Sequence, residues 1–126
     1  MLKTTFSYDH YFLYDELTCA LQQLADMRPD LMRLSSLART PYGREVWLAE
    51  ITDPTTGPAE SKPALYVDGT QHAGEVTASM VAMHFIDFLI TNAEKPEVAE
   101  TLRDRTFYVI PRVAMDGAEL YLTTAA

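Results

Sequence analysis

Apolar residues recur along this chain with two different periods, and the switches between them predict its elements. Leu13, Leu17, Leu21 and Leu24, with Ala20 between them, fall three and four residues apart. That spacing predicts an amphipathic helix over roughly 10–27, closed by Pro29. Tyr8, Tyr11, Phe12 and Tyr14 gather at its start and read as packing residues or as a shelf for substrate. Strand-like runs follow at about 31–39 and 45–52. Between them, Thr40-Pro41-Tyr42-Gly43-Arg44 supplies turn geometry, so the pair reads as a β-hairpin. Residues 53–63 are dense in turn formers and read as an exposed loop.

A short apolar run at 64–68 predicts a further strand. Residues 76–92 carry Val76, Met80, Met83, Ile86 and Ile90 together with Val81, Phe85, Phe88 and Leu89, apolar on nearly every side, which predicts a largely buried helix. Pro96 suits the first turn of a short helix reaching about Arg103, and Thr106–Ile110 is a compact β run ended by Pro111. Strand, two helices and strand make a βαβ crossover, which implies parallel strands and a right-handed connection. The fold class is therefore α/β: a mixed β-sheet flanked by helices, ordered helix, β-hairpin, right-handed βαβ. No internal repeat is visible.

The 126 residues, 48% hydrophobic and 22% charged, suit one globular domain or part of one, ordered except at its ends. A formal net charge of -8 argues against nucleic-acid and anionic-membrane partners, which call for clustered Lys and Arg. The start, Met1 to Phe6, lacks the apolar core of a signal peptide, and His84 and Asp87 interrupt the longest apolar stretch. The chain reads as soluble and cytoplasmic. Cys19, the single cysteine, falls within the first helical pattern and reads as an inert core thiol.

The richest segment is Asp68-Gly69-Thr70-Gln71-His72-Ala73-Gly74-Glu75, where a strand ends, a tight loop follows and a helix begins. An imidazole and a carboxylate are two of the ligand types that hold catalytic Zn²⁺, and a loop at the carboxyl end of a strand can aim both at one ion. Taken alone, His72 and Glu75 also read as a loop histidine and a first-turn acid set against the helix dipole. Asp68 is a candidate acceptor for an imidazole N–H; it reads equally as a carboxylate satisfied by loop backbone. Arg112, after a strand end, reads as a residue at the mouth of the site or as half of a surface salt bridge.

This order of elements, together with Asp68–Glu75 and the later Ile110-Pro111-Arg112-Val113-Ala114-Met115-Asp116-Gly117-Ala118-Glu119, resembles the zinc carboxypeptidases, the carboxypeptidase A-like metallopeptidases, over nearly the whole chain. In that family His-x-x-Glu supplies two zinc ligands, and a later strand ends near an Asn-Pro-Asp-Gly turn. His72 lies 42 residues before Ala114, where the corresponding turn would start (114 − 72 = 42). The Pro-Tyr-Gly-Arg-Glu hairpin is also similar. The resemblance implies a partial zinc-exopeptidase-like fold, with residues 1–126 as the amino-terminal portion of a catalytic domain. It also implies Zn²⁺ as cofactor, His72 and Glu75 as metal ligands, and a peptide or amino-acid-derived substrate.

Three departures qualify what carries over. Ala114 and Met115 replace the Asn and Pro, leaving Asp116 and Gly117 to make the turn. Gly74 stands where digestive members commonly carry Arg. The family's third ligand, a His, its general-base Glu and its substrate-gripping Arg residues lie further downstream. None can be placed here, since His10 and His84 sit on predicted helices away from the pattern. No catalytic residue is therefore assigned within the chain. The expectation is a zinc metallocarboxypeptidase as the full-length parent, with these residues alone inactive. An amidohydrolase of N-acyl amino acids from the same superfamily and a non-catalytic α/β binding module are the alternatives. Strand 64–68 would present an unpaired edge, which invites a homo-oligomer.

Overall fold

The computed structural model describes residues 3–124. Met1 and Leu2, which open the segment read as lacking a leader, and Ala125 and Ala126 at the far end lie outside the described residues. The elements are α1 (Tyr14–Met27), β1 (Met32–Arg39), β2 (Glu45–Ile51), β3 (Ala64–Asp68), α2 (Val76–Thr91), α3 (Pro96–Asp104), β4 (Thr106–Ile110) and α4 (Met115–Thr123). Two short 3₁₀ turns, Pro54–Thr56 and Ala59–Ser61, occupy the loop between β2 and β3.

The sheet runs β1-β2-β4-β3, antiparallel except where β3 pairs with β4. That parallel neighbourhood is what the βαβ reading predicts. Ala49, Val109 and Val67 are register partners and so share one face, as do Ile51, Phe107 and Leu65. Against this face pack Leu17, Leu21 and Leu24 of α1 and Met83, Ile86 and Ile90 of α2, all fully buried. Val98 and Leu102 of α3 and Met115 of α4 join the same cluster. The opposite face carries the row Arg33, Glu50, Tyr108, Tyr66 across all four strands.

Several expectations are corrected. Helix α1 begins at Tyr14, not near residue 10, so His10 precedes it, held between Asp9 and Glu16. Cys19 is exposed. The buried stripe of α1 is Leu17, Ala20, Leu21, Leu24 and Ala25, and position 19 turns away from it. Helix α2 is buried along one face only, since Val81 is 64% exposed and Phe88 44%. The largest correction is α4: Asp116 and Gly117, expected in a turn, lie in the first turn of a nine-residue helix.

Candidate functional site

The loops that follow the two parallel strands are stitched together. Gly69 N–H donates to Ile110 O at 2.9 Å, Val113 N–H to Gly69 O at 3.0 Å and Ala114 N–H to Thr70 O at 2.9 Å. Gly69 must be glycine, because a Cβ there would lie 2.6 Å from Pro111 O and 2.7 Å from Ala78 O. Thr70 adopts φ +49°, a left-handed conformation unusual for a side chain branched at Cβ. The strain is offset locally: its buried hydroxyl donates to Glu75 O at 2.6 Å and meets Ser79 Oγ at 2.5 Å.

Held in this way, the loop projects His72 and Glu75 to solvent, with side chains 79% and 54% exposed. His72 N–H donates to Glu75 Oε1 at 3.1 Å, and His72 Nδ1 lies 3.0 Å from Glu75 Oε2. The hydrogen bond to the carboxylate raises the imidazole pKa above its ordinary value, and the same contact lowers that of Glu75. The bland alternative, an acid in the first turn of a helix, describes Glu75 only in part: it is the N-cap residue of α2, yet its side chain reaches back to His72 rather than to helix N–H groups.

Asp68 takes its hydrogen bonds from Tyr66 Oη at 2.9 Å and Gln71 Nε2 at 3.3 Å, not from His72. Tyr66 lies two residues back on the same strand and so on the same face, where its hydroxyl reaches the carboxylate first. Arg112 is neither at the mouth of the site nor in a surface salt bridge. It is 0% exposed, its Nε donates to Ser79 Oγ at 3.0 Å, and Nη1 and Nη2 have no partner among the described residues. Burial pushes its pKa down, opposed by the charge of Glu119.

The sequence reading missed α4 as part of the site's frame. Asp116 Oδ1 accepts from Thr40 Oγ1 at 2.8 Å and from Arg44 Nη1 at 2.9 Å, which ties the β1–β2 turn to α4. Glu119 Oε2 accepts the Tyr14 N–H at 2.9 Å, a side-chain cap for α1 supplied from 105 residues away. Gly117 allows α4 to pass Ala73, and Tyr121 lies over Gly74: a Cβ on Gly74 would sit 3.6 Å from its ring. The one available signal for these roles was the apolar spacing Met115, Ala118, Leu122 after Pro111.

Among the described residues no group of three His, Cys, Asp or Glu side chains is placed to hold a metal ion. His10 is engaged by Asp9 and Glu16, and His84 packs edge-on to Tyr8, both away from the loop. The arrangement is an α/β sheet with a two-donor loop at the carboxyl end of its parallel pair, the position where open sheets of this kind bind ligands.

Comparison with known proteins agrees with the α/β fold. A sequence model described as "Zinc carboxypeptidase" matches residues 17–126, and the chain belongs to this family. Cytosolic carboxypeptidase 2 of Macaca fascicularis is 32% identical over 117 residues, a match covering 89% of this chain and 14% of that protein. A zinc carboxypeptidase of Saccharothrix mutabilis subsp. capreolus is 28% identical over 122 residues, covering 94% of this chain and 27% of the relative. Among solved structures, carboxypeptidase A from Helicoverpa armigera superposes with a TM-score of 0.81 at 19% identity, over 94% of this chain and 28% of its own. These structural likenesses establish a carboxypeptidase fold. The chain thus spans a small part of the length of the relatives it matches.

Proposed function

We propose that the parent protein is a zinc-dependent metallocarboxypeptidase, that residues 1–126 are the amino-terminal portion of its catalytic domain, and that His72 and Glu75 are two of its metal ligands. The observation that carries this reading is the 3.0 Å separation of His72 Nδ1 and Glu75 Oε2 on an exposed, braced loop. Two donors bound to one tetrahedral Zn²⁺ at ordinary bond lengths lie about 3.3 Å apart. The pair therefore needs only a small opening, together with loss of the proton it shares, to accept the ion.

When bound there, Zn²⁺ supplies Lewis-acid polarisation of a peptide carbonyl. The chain's own residues present the donors, and the Gly69–Thr70 stitching fixes where they point. The third ligand and the base that peptide hydrolysis requires are not brought to this loop among the described residues, so the 126 residues alone are expected to be inactive. Substrates are peptides with a free C-terminus. Similarity to a relative named as cytosolic supports a cytoplasmic location, and no single helix among the described residues is long and apolar enough to cross a membrane.

The test has two parts. Zinc affinity, read by competition with a chromogenic chelator, should fall at least tenfold in His72→Ala and in Glu75→Ala; unchanged uptake in both rules out the ligand assignment. Full-length protein should hydrolyse peptides with free C-termini and leave C-terminally blocked ones intact. Preferential hydrolysis of N-acyl amino acids would move the assignment to an amidohydrolase.

A further inference from the structure

Arg112 stands out among the described residues as a fully buried cation whose Nη1 and Nη2 have no hydrogen-bond partner, the charge of Glu119 acting on it only from beyond contact. Burying a guanidinium forfeits its hydration and is costly unless its donors are used. Here only Nε is used, and its acceptor is the hydroxyl of Ser79, also 0% exposed. Ser79 Oγ lies 2.5 Å from Thr70 Oγ1, and Thr70 Oγ1 donates to the carbonyl of Glu75 at 2.6 Å. A continuous relay therefore runs from the loop after β4, through α2, to the main chain of Glu75.

The directions of the protons are forced along this relay. Arginine has only donors, so Ser79 Oγ accepts from Nε; a carbonyl only accepts, so the Thr70 hydroxyl spends its one proton on Glu75 O. Ser79 must then donate to Thr70. Each hydroxyl has one arrangement, which makes the relay a rigid strut and not a set of interchangeable contacts. It ends on the residue whose carboxylate faces His72 Nδ1, and it passes through the one non-glycine residue of the described chain with positive φ.

We propose that Arg112 is the positioning residue of the His72–Glu75 loop, setting the Glu75 main chain through Ser79 and Thr70 so that the two donors keep their spacing. This rests on the reading of His72 and Glu75 as metal ligands, and Arg112 itself touches neither of them. Removing the guanidinium frees Ser79 to rotate, leaves Thr70 with a competing acceptor and lets the loop relax from its left-handed turn. The donor pair then loses its fixed spacing, although both side chains are still present.

The experiment compares wild type, His72→Ala, Ser79→Ala, Arg112→Met and Arg112→Lys in the full chain by two readouts: zinc affinity and amide exchange at Glu75 and Ala78, with β4 amides as the fold control. Arg112→Met should weaken zinc at least tenfold and speed exchange at Glu75 and Ala78 at least tenfold, with β4 exchange unchanged. Arg112→Lys, which keeps one donor for Ser79, should recover part of both losses. Should Arg112→Met not fold, Ser79→Ala cuts the same strut by one atom and is expected to act in the same direction. Unaltered exchange and affinity in Ser79→Ala and in any folded Arg112 variant would overturn the proposal. Loss of zinc in His72→Ala with no loss in the relay variants defeats the inference alone. Unchanged zinc in His72→Ala defeats the ligand reading, and exchange at Glu75 and Ala78 then decides whether Arg112 holds the loop.

Discussion

Gly117 on α4 passes Ala73 of the His-x-x-Glu loop so closely that a Cβ on Gly117 would lie 2.8 Å from the Cβ of Ala73. Ala73 is too short to move aside. Alanine ordinarily improves a helix over glycine by up to about 1 kcal/mol, so helix propensity and packing predict opposite signs for Gly117→Ala. Packing should win, at a net cost of about 1–3 kcal/mol. Adding Ala73→Gly removes the clash and should recover most of that loss. Urea unfolding of both single variants and the double variant closes the cycle; simple additivity would show that the two residues do not meet.

Two other glycines separate close approach from mere smallness. Gly69→Ala drives a methyl against the carbonyl oxygens of Pro111 and Ala78, both backbone, and should cost about 3 kcal/mol. Gly74→Ala places its methyl in ordinary contact with the Tyr121 ring and should change stability by less than about 0.5 kcal/mol. Equal thermal shifts in the two variants would contradict the geometry.

The His72–Glu75 pair sets a pH window for the metal-free loop. The imidazole pKa is raised above its ordinary 6.5 by the Glu75 carboxylate, so its contribution is complete below 6.5 and is lost as pH rises through the raised value. The Glu75 pKa is lowered below 4.5 by His72, so its contribution is present above 4.5 and is lost as pH falls through the lowered value. Exchange of the Glu75 amide, corrected for its intrinsic rate, should be slowest between pH 4.5 and 6.5. Glu75→Gln should flatten the profile, and NMR titration of His72 should then fall towards its ordinary value.

Among the described residues strand β3 pairs only with β4, and it exposes Leu65 (49%) and Tyr66 (57%). An edge of this kind is a template for pairing with another chain. Sedimentation velocity should show self-association growing with concentration, reduced by Tyr66→Lys without loss of the unfolding midpoint. A monomer at all concentrations would count against association through this edge.

Much of the fold was legible because its signals are local. The stripe Leu17, Leu21, Leu24, the Pro41–Gly43 turn and the βαβ succession each depend on residues within a few turns of one another, and each produced the expected element. The strand, loop and helix start around His72 were legible too, since the three adjoin in sequence. Helix α4 was not. Asp and Gly favour turns when judged by their neighbours, yet Asp116 finds its partners on Thr40 and Arg44, more than 70 residues earlier. Arg112 escaped for a related reason: a charged residue after a strand is normally solvated, and nothing near it in sequence announces the hydroxyl relay that receives it. Cys19 was misplaced by judging helical membership without phase.

The two bonds that join Gly69 and Thr70 to Val113 and Ala114 have a consequence for how the loop meets a ligand. They tether the flank before His72, while the Thr70 hydroxyl holds the flank after it at Glu75 O. A segment held at both ends has already surrendered much of its backbone freedom during folding, so capture of an ion or substrate group need not order it again. Binding would then cost little conformational entropy, and association would be limited by encounter and desolvation, not by a search among loop conformations.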